Sequence, residues 1–297
     1  GLVIFSYLNA ILTGLLTAAG NSRTPFIVNV AGLVFNVVLD PVLIFGIGPF
    51  PELGVSGAAA ATVTAQALVS LLFFKAVLRE KVLFPHLRLW VLVPVKVWRE
   101  IVRIGVPSAV QNLIYAGISM ILTRLITGWG DLAVAAQRVG SQIESVSWMV
   151  GDGFSAAVNA FLGQNYGAKR YDRVRRGYFC AIAMTAAWGL CTTFLLIGMA
   201  RPLFSIFLQE EEVMAIGVNY LRIVGLSQMF MMVEQTSIGA FSGLGRTLYP
   251  SIISVTFTSA RIPVAVLLSS VMGLSGIWWA LSISSMVKGC ILFVSFV

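Results

Sequence analysis

Long apolar runs, separated by short polar breaks, make up almost the whole chain. A transmembrane helix needs about 20 consecutive apolar residues. Nine runs of roughly that length lie at residues 1–19, 25–47, 54–78, 101–127, 132–164, 176–200, 213–242, 248–271 and 274–297. Turn signals fill the breaks, such as Gly-Pro-Phe-Pro at 48–51. The pattern predicts an all-α polytopic membrane protein with nine visible spans.

Composition excludes an ordinary water-soluble domain. Hydrophobic residues make up 58% of the 297 residues and charged residues only 11%, whereas a soluble domain has about 25% charged residues. The net charge of +8 would suit a nucleic-acid partner, but its distribution along the chain argues for a membrane instead.

The charged residues indicate how the spans are oriented. On one side of the predicted membrane, the breaks hold most of the basic residues, namely Arg23, residues 79–103, residues 166–176 and Arg246. The breaks on the other side are mostly acidic, with Glu52, Asp131 and the run 210–212. Because basic loops are retained in the cytoplasm, the first side is predicted to be cytoplasmic.

A short phrase occurs twice and indicates an internal repeat. GNSRT at 20–24 returns as GLGRT at 243–247, and the Gly-x-Ser-Gly at 54–57 returns at 273–276. Matched spans are an even number apart, so both copies cross the membrane in the same direction, as parallel repeats do. The repeat predicts two pseudo-symmetric six-helix lobes, the first lacking roughly three helices ahead of Gly1.

The repeat also divides the chain into domains. Residues 1–78 are predicted to be the second half of the N-terminal lobe. Residues 79–100 form a basic cytoplasmic connector, and residues 101–297 form the C-terminal lobe.

Several stretches resemble one known family. They are NVVLDPVLIFGIGPFPELGVSGAAAAT at 36–62, GFSAAVNAFLGQNYGAKR at 153–170 and the doubled G-x-x-R-T phrase. They are similar to the multidrug and toxic compound extrusion (MATE) family, and AAQRVGSQIESVSWM at 135–149 resembles its bacterial branch. The resemblance implies a monomeric exporter in the bacterial inner membrane, with two lobes around a cavity and no cofactor. It would exchange cationic or amphipathic compounds for protons or sodium.

Asp40 is the first candidate for ion coupling, since an ionisable residue within a span costs about 2.5–3.5 kcal/mol on insertion scales. Asn36 lies one helical turn before it, and Pro41 leaves the carbonyl of Val37 without its usual helical donor. Together these oxygens could hold a proton or a sodium ion. The resemblance implies the same role for Asn36 and Asp40. The alternative is a structural aspartate that stabilises a kinked helix.

Two spans carry rows of polar side chains at helical spacing. The row in the fifth span is Gln137, Ser141, Glu144, Trp148, Asp152, Ser155 and Asn159, and the row in the fourth span includes Gln111 and Tyr115. The polar face of a membrane helix points away from lipid. We therefore expect the rows to line a substrate cavity; the alternative is hydrogen bonding between helices.

Glu234 lies in the middle of the seventh span, after the methionine- and phenylalanine-rich run at 229–232. A carboxylate attracts cations, and methionine supplies an adaptable apolar surface. In several members of the family that the chain resembles, an acidic residue on the corresponding helix is functional, and it aligns with Met231. Met231 is therefore a candidate for substrate contact. Glu234, one helical turn away, is a candidate for cation coupling. Arg261 in the eighth span could instead pair with Glu234 and hold it ionised, which would make both residues structural.

Export by secondary antiport with alternating access is the function that these features predict. An enzyme or an ATP-driven pump is not expected, because the chain has no P-loop motif, no H-E-x-x-H motif and no histidine within a span. A flippase for lipid-linked saccharides is the alternative, since its substrate phosphates would suit the basic residues within spans, Arg124, Arg138, Arg222, Arg261 and Lys288. Arg138 could instead neutralise Glu144.

Overall fold

The computed structural model describes residues 3–49, 51–79 and 94–297, and all their regular secondary structure is helical. The helices are α1 (Val3–Ala18), α2 (Arg23–Phe45), α3 (Gly54–Arg79), α4 (Val95–Thr127), α5 (Asp131–Gly167), α6 (Tyr171–Gly198), α7 (Ala200–Ser205), α8 (Glu211–Gly225), α9 (Gln228–Gly243), α10 (Leu248–Ser259), α11 (Arg261–Met272) and α12 (Leu274–Phe296). They form two compact units, the first unit (Gly1–Leu92) and the second unit (Val93–Val297).

Fewer spans than expected satisfy both the length and the composition of a membrane-crossing helix. Within the described residues there are six, namely α2, α3, α4, α6, α10 with α11, and α12; α8 with α9 makes a seventh if that bent pair is one span. The two remaining predicted spans coincide with α1, which has only 16 residues, and α5, whose polar row lowers its hydropathy. The prediction of nine spans is therefore supported for six or seven.

The helices on either side of the predicted connector extend into its range. Helix α3 continues to Arg79 and α4 begins at Val95, inside the range 79–100 that the sequence assigned to the connector. Residues 80–93, which carry most of the basic connector, lie outside the described residues.

The doubled phrase ends two helices in the same way. After α1, the N–H of Asn21 donates to the carbonyl of Leu16 with Gly20 at φ 87°. After α9, the N–H of Arg246 donates to the carbonyl of Phe241, here with Gly245 at φ 69°. Both are Schellman caps, which favour glycine because a side chain strains the left-handed conformation. The cap glycine is thus the first residue of one phrase and the third of the other.

The first unit packs α1 and α2 against α3. Its buried apolar core consists of Leu16, Val28, Val69 and Phe73. Gly32 and Gly57 allow α2 and α3 to approach closely, because a Cβ at either position would collide with the facing helix. A polar contact also joins α1 to α3, where the Asn9 amide donates to Gln66 and accepts from the Ser70 hydroxyl at 2.7 Å.

The second unit is built around α5, which has 37 residues and packs against α6, α8 and α9. Two of its membrane-length elements are interrupted. The axes of α8 and α9 differ by 51° across the break after Gly225, and α10 gives way to α11 at Ala260. Polar side chains gather beside both interruptions.

Gly239 and Gly243 set the spacing between α9 and α5. A Cβ on either glycine would collide with a backbone carbonyl of α5, that of Ser155 or Asn159. Small residues four apart permit such close helix contacts in membranes. Replacing Gly239 by alanine should therefore destabilise the protein by about 1–3 kcal/mol through overpacking.

The midpoint of thermal unfolding in detergent measures this effect. Gly153→Ala on α5 is the matched control, since a Cβ there meets open space. An unchanged midpoint for Gly239→Ala would show that the two backbones are not held this closely.

Candidate functional site

The second unit contains two adjoining cavities within its helices. The smaller cavity has a volume of about 300 Å³ and the larger cavity about 500 Å³. Six residues line both: Tyr115, Trp148, Asp152, Met231, Arg261 and Ser285. The shared lining shows that the cavities meet at one boundary formed by α4, α5, α9, α11 and α12.

The structure brings most of the residues expected to line a cavity onto these walls; Ser155 and Asn159 of the α5 row lie against α9 instead. Gln111 faces the smaller cavity, whereas Gln137, Ser141 and Glu144 face the larger one. Tyr115, Trp148, Asp152 and Met231 belong to both linings. The side chains of Tyr115 and Trp148 also touch, with ring centroids 6.1 Å apart. A shared position on the cavity walls is established; a role in binding substrate stays a prediction.

Glu144 is buried and accepts hydrogen bonds from three neutral donors. Trp148 Nε1 and Gln228 Nε2 donate to its Oε1, each at 3.0 Å, and the Tyr220 hydroxyl donates to Oε2 at 3.0 Å. Tyr220 lies on α8 and Gln228 on α9, so one carboxylate of α5 links both sides of the bent pair. The prediction that Arg138 neutralises Glu144 is wrong, because Arg138 is exposed and the donors are uncharged.

A second amide–indole contact lies further along the same face of α5. Trp278 Nε1 on α12 donates to Gln137 Oε1 at 3.2 Å, and the ring of Trp278 meets that of Tyr220 edge to face. The polar row of α5 therefore fits both interpretations that the sequence left open. It lines the larger cavity, and it also hydrogen-bonds to neighbouring helices.

Glu234 pairs with Lys288, not with Arg261. Lys288 Nζ on α12 lies 2.6 Å from Glu234 Oε1 on α9, and both side chains are less than 10% exposed. The expected Glu234–Arg261 pair is therefore wrong, since α12 rather than α11 presents its cation to the carboxylate. Glu234 and Lys288 still line the smaller cavity, so the ion pair is part of its wall.

Arg261 is held by hydroxyl groups. Its Nε donates to Ser284 Oγ at 2.9 Å and its Nη2 to Ser285 Oγ at 3.1 Å, both on α12. Ser284 in turn donates to the carbonyl of Phe257 in the last turn of α10. The guanidinium lies 6.0 Å from the centre of the Tyr115 ring. Arg261 thus sits at the break between α10 and α11 and faces both cavities.

The first unit holds the other predicted ion site. Asn36 Nδ2 donates to Asp40 Oδ1 at 3.3 Å along α2, and both residues are half-buried. Pro41 lies inside α2, as the sequence indicates. Carboxylate, amide and carbonyl oxygens are the ligands that hard cations prefer, so this donor set is compatible with sodium or a proton.

Sequence reasoning missed several members of these networks. Tyr220 and Gln228 escaped notice because they lie on either side of an unrecognised bend. Asn9 escaped notice because a single buried amide in an apolar run carries no periodic signal. The remaining basic residues within spans, Arg124, Arg138 and Arg222, are exposed and line neither cavity.

The membrane-length helices define a multi-pass membrane protein, and aromatic, methionine and ionisable side chains line the cavities between them. The MatE family model matches residues 107–267, which is more than half of the chain. The chain therefore belongs to the MATE family, whose members are transporters rather than enzymes and need no cofactor.

Curated relatives agree with this assignment. The probable multidrug resistance protein NorM of Thermotoga maritima is 32% identical over 283 residues, covering 91% of this chain and 58% of the relative. The probable multidrug resistance protein YoeA of Bacillus subtilis is 27% identical, covering 92% and 60%. A protein of Shewanella oneidensis named as an FAD transporter is 26% identical, covering 92% and 61%. The chain thus spans about three fifths of the length of these relatives.

Solved structures show the same fold. A mutant form of the MATE transporter VcmN of Vibrio cholerae superposes with a TM-score of 0.84 at 22% identity, covering 97% of this chain and 65% of that one. A MOP superfamily transporter from Pyrococcus furiosus superposes with a TM-score of 0.88 at 21% identity, covering 97% and 64%. At this identity the likeness supports the fold alone.

Proposed function

We propose that the protein exports cationic or amphipathic small molecules across the bacterial inner membrane as a secondary antiporter, driven by protons or sodium through alternating access. One observation carries the proposal: the two adjoining cavities combine an adaptable apolar lining with carboxylates. Tyr115, Trp148 and Met231 supply the apolar surface, and Asp152 supplies a carboxylate without a short-range cation among the described residues. Such a lining suits flat, positively charged compounds of varied shape.

Ion coupling is assigned to the first unit. Asp40 can bind a proton or a sodium ion with Asn36 as its neighbour, and Pro41 leaves one more oxygen nearby. Glu234 is the second candidate, although its salt bridge to Lys288 must open before it can bind another cation. Competition between ion and substrate for different conformations then drives export, because each ligand stabilises the conformation that it binds better.

The orientation and surroundings of the protein complete the proposal. The breaks at Arg23, 79–103, 166–176 and Arg246 face the cytoplasm under the positive-inside rule. The transporter acts as a monomer surrounded by lipid. Among the relatives reported above, the names are those of multidrug resistance proteins and of an FAD transporter, and none is a flippase for lipid-linked saccharides.

Dye export from living cells tests this function. A bacterium that lacks its own drug pumps should lose preloaded ethidium faster when it expresses the protein than when it carries an empty vector. A protonophore should abolish the difference if protons drive export, whereas removal of sodium should abolish it if sodium does. Equal ethidium loss with and without the protein, at confirmed membrane expression, would contradict the proposal for this class of substrate.

A substitution at Asp152 tests whether the cavities contribute to dye efflux. Asp152→Asn removes a negative charge that both cavities share, so ethidium efflux at low dye concentration should fall about two- to fivefold. Asp131→Asn is the control, because Asp131 is exposed at the start of α5 and lines neither cavity. Equal efflux by the two variants would remove Asp152 from the substrate path.

A further inference from the structure

Arg261 is a buried cation that forms no salt bridge with any carboxylate of the described residues. Its side chain is only 6% exposed, yet no carboxylate lies within 4.0 Å of it in the described part of the chain. A guanidinium has five N–H donors, and the contacts to Ser284 and Ser285 account for two. These two contacts hold Arg261 at the break between α10 and α11. Arg261 has further N–H donors, and its side chain lines both cavities.

The groups beside Arg261 are also hydrogen-bond donors. Lys288 lines the smaller cavity, close enough to Arg261 for the two charges to repel each other, and Glu234 is its salt-bridge partner. Ser254 on α10 lines the same cavity; its hydroxyl is buried and has no hydrogen-bond partner among the described residues. A buried hydroxyl without a partner is costly. These three side chains form the donor wall, Ser254, Arg261 and Lys288.

Aromatic rings and carboxylates also line the smaller cavity. Tyr115 on α4 and Trp148 on α5 present aromatic rings, and the Tyr115 ring lies beside the Arg261 guanidinium. Asp152 and Glu234 are the carboxylates of the smaller cavity. A single carboxylate matches Arg261, which has no carboxylate within 4.0 Å in the described part of the chain, whereas a dianionic group would meet stronger repulsion from both.

We propose that the donor wall is a subsite for the carboxylate of an amphipathic aromatic substrate. The inference rests on the proposed function, since it specifies which amphipathic compounds the cavity takes. The planar guanidinium matches a carboxylate in a two-point contact. The Ser254 hydroxyl supplies another donor, and the aromatic body of the substrate packs against Tyr115 and Trp148. A positively charged group on the same compound can remain near Asp152.

A pair of dyes that differ in one group tests the subsite. Rhodamine B carries a free carboxylate on a cationic ring system, and its ethyl ester has the same ring system without the negative charge. Fluorescence anisotropy with the purified intact protein gives the dissociation constant of each dye. We expect the acid to bind about tenfold more tightly than the ester, as hydrogen bonds to a charged group allow.

Three variants test which residues cause the tighter binding of the acid. Arg261→Gln should bring the ratio of the two constants close to one, and Arg261→Lys, which keeps the charge but loses the two-point contact, should lower it about threefold. Ser254→Ala should also lower the ratio. Arg222→Gln is the control, because this exposed arginine of α8 lines neither cavity, and it should keep the wild-type ratio.

The outcomes separate this inference from the proposed function. Equal binding of both dyes by the wild type overturns the carboxylate subsite but leaves export of cationic compounds standing. Absence of binding for both dyes overturns both. A wild-type ratio that persists in Arg261→Gln also overturns the subsite. If that variant fails to fold, unchanged ratios in both Arg261→Lys and Ser254→Ala overturn it equally.

Discussion

Replacing Glu234 by glutamine is expected to lower the free energy of unfolding by about 3–5 kcal/mol, because it leaves the Lys288 ammonium buried without a balancing charge. The ammonium and the carboxylate are 2.6 Å apart and both side chains are nearly inaccessible. Lys288→Met should cost a similar amount for the mirror-image reason. The double change Glu234→Leu with Lys288→Met should recover most of the loss, since a buried ion pair can often be exchanged for apolar side chains.

A second ion pair of the same chain provides the control. Arg201 and Glu211 are a similar 2.7 Å apart, but their side chains are 66% and 73% exposed. Glu211→Gln should therefore cost at most about 1 kcal/mol. Thermal unfolding in detergent would compare the four variants with the wild type. A Glu234→Gln midpoint no lower than that of Glu211→Gln would show that the Glu234–Lys288 pair does not hold α9 against α12.

Asp40→Asn should reduce dye efflux by more than about tenfold while the protein remains folded in the membrane. An amide cannot take up a proton and is a weaker sodium ligand than a carboxylate, so the ion would no longer favour one conformation over the other. Replacement of Asn36 should cause a smaller loss of dye efflux, because Asn36 only supports the Asp40 carboxylate through one hydrogen bond.

Glu52→Gln is the control for this prediction, since Glu52 is an exposed carboxylate of the same unit. Its efflux should match that of the wild type at equal expression. Binding of the dye by Asp40→Asn, measured on purified protein, should be retained. Full efflux by Asp40→Asn would move ion coupling away from the first unit and make Glu234 the remaining candidate.

The sequence could predict the helices and the polar faces because both depend on local periodicity. Most of the apolar runs reappear as helices with ends within a few residues, and the row from Gln137 to Asp152 does line a cavity. The bend after Gly225 could not be predicted. It interrupts an apolar run at 213–242 in which hydropathy remains high throughout.

Pairing between residues far apart in the sequence could not be predicted either. By sequence alone, Glu234 has two candidate basic partners, Arg261 on the next predicted span and Lys288 on the span after it. Only the packing of α12 against α9 decides that Lys288 occupies the position beside the carboxylate. The same packing leaves Arg261 to the serines of α12, without a salt bridge to any carboxylate of the described residues, and from this the carboxylate subsite is inferred.

The central claim is that an ion gradient drives a cationic compound through this protein. The direct measurement uses the purified protein in liposomes, with ethidium transport followed after a proton gradient or a sodium gradient is imposed separately. The account predicts uptake against the ethidium concentration gradient with one of the two ions, and its loss in Asp40→Asn but not in Glu52→Gln. Ethidium movement that ignores both gradients, or that persists unchanged in Asp40→Asn, would contradict it.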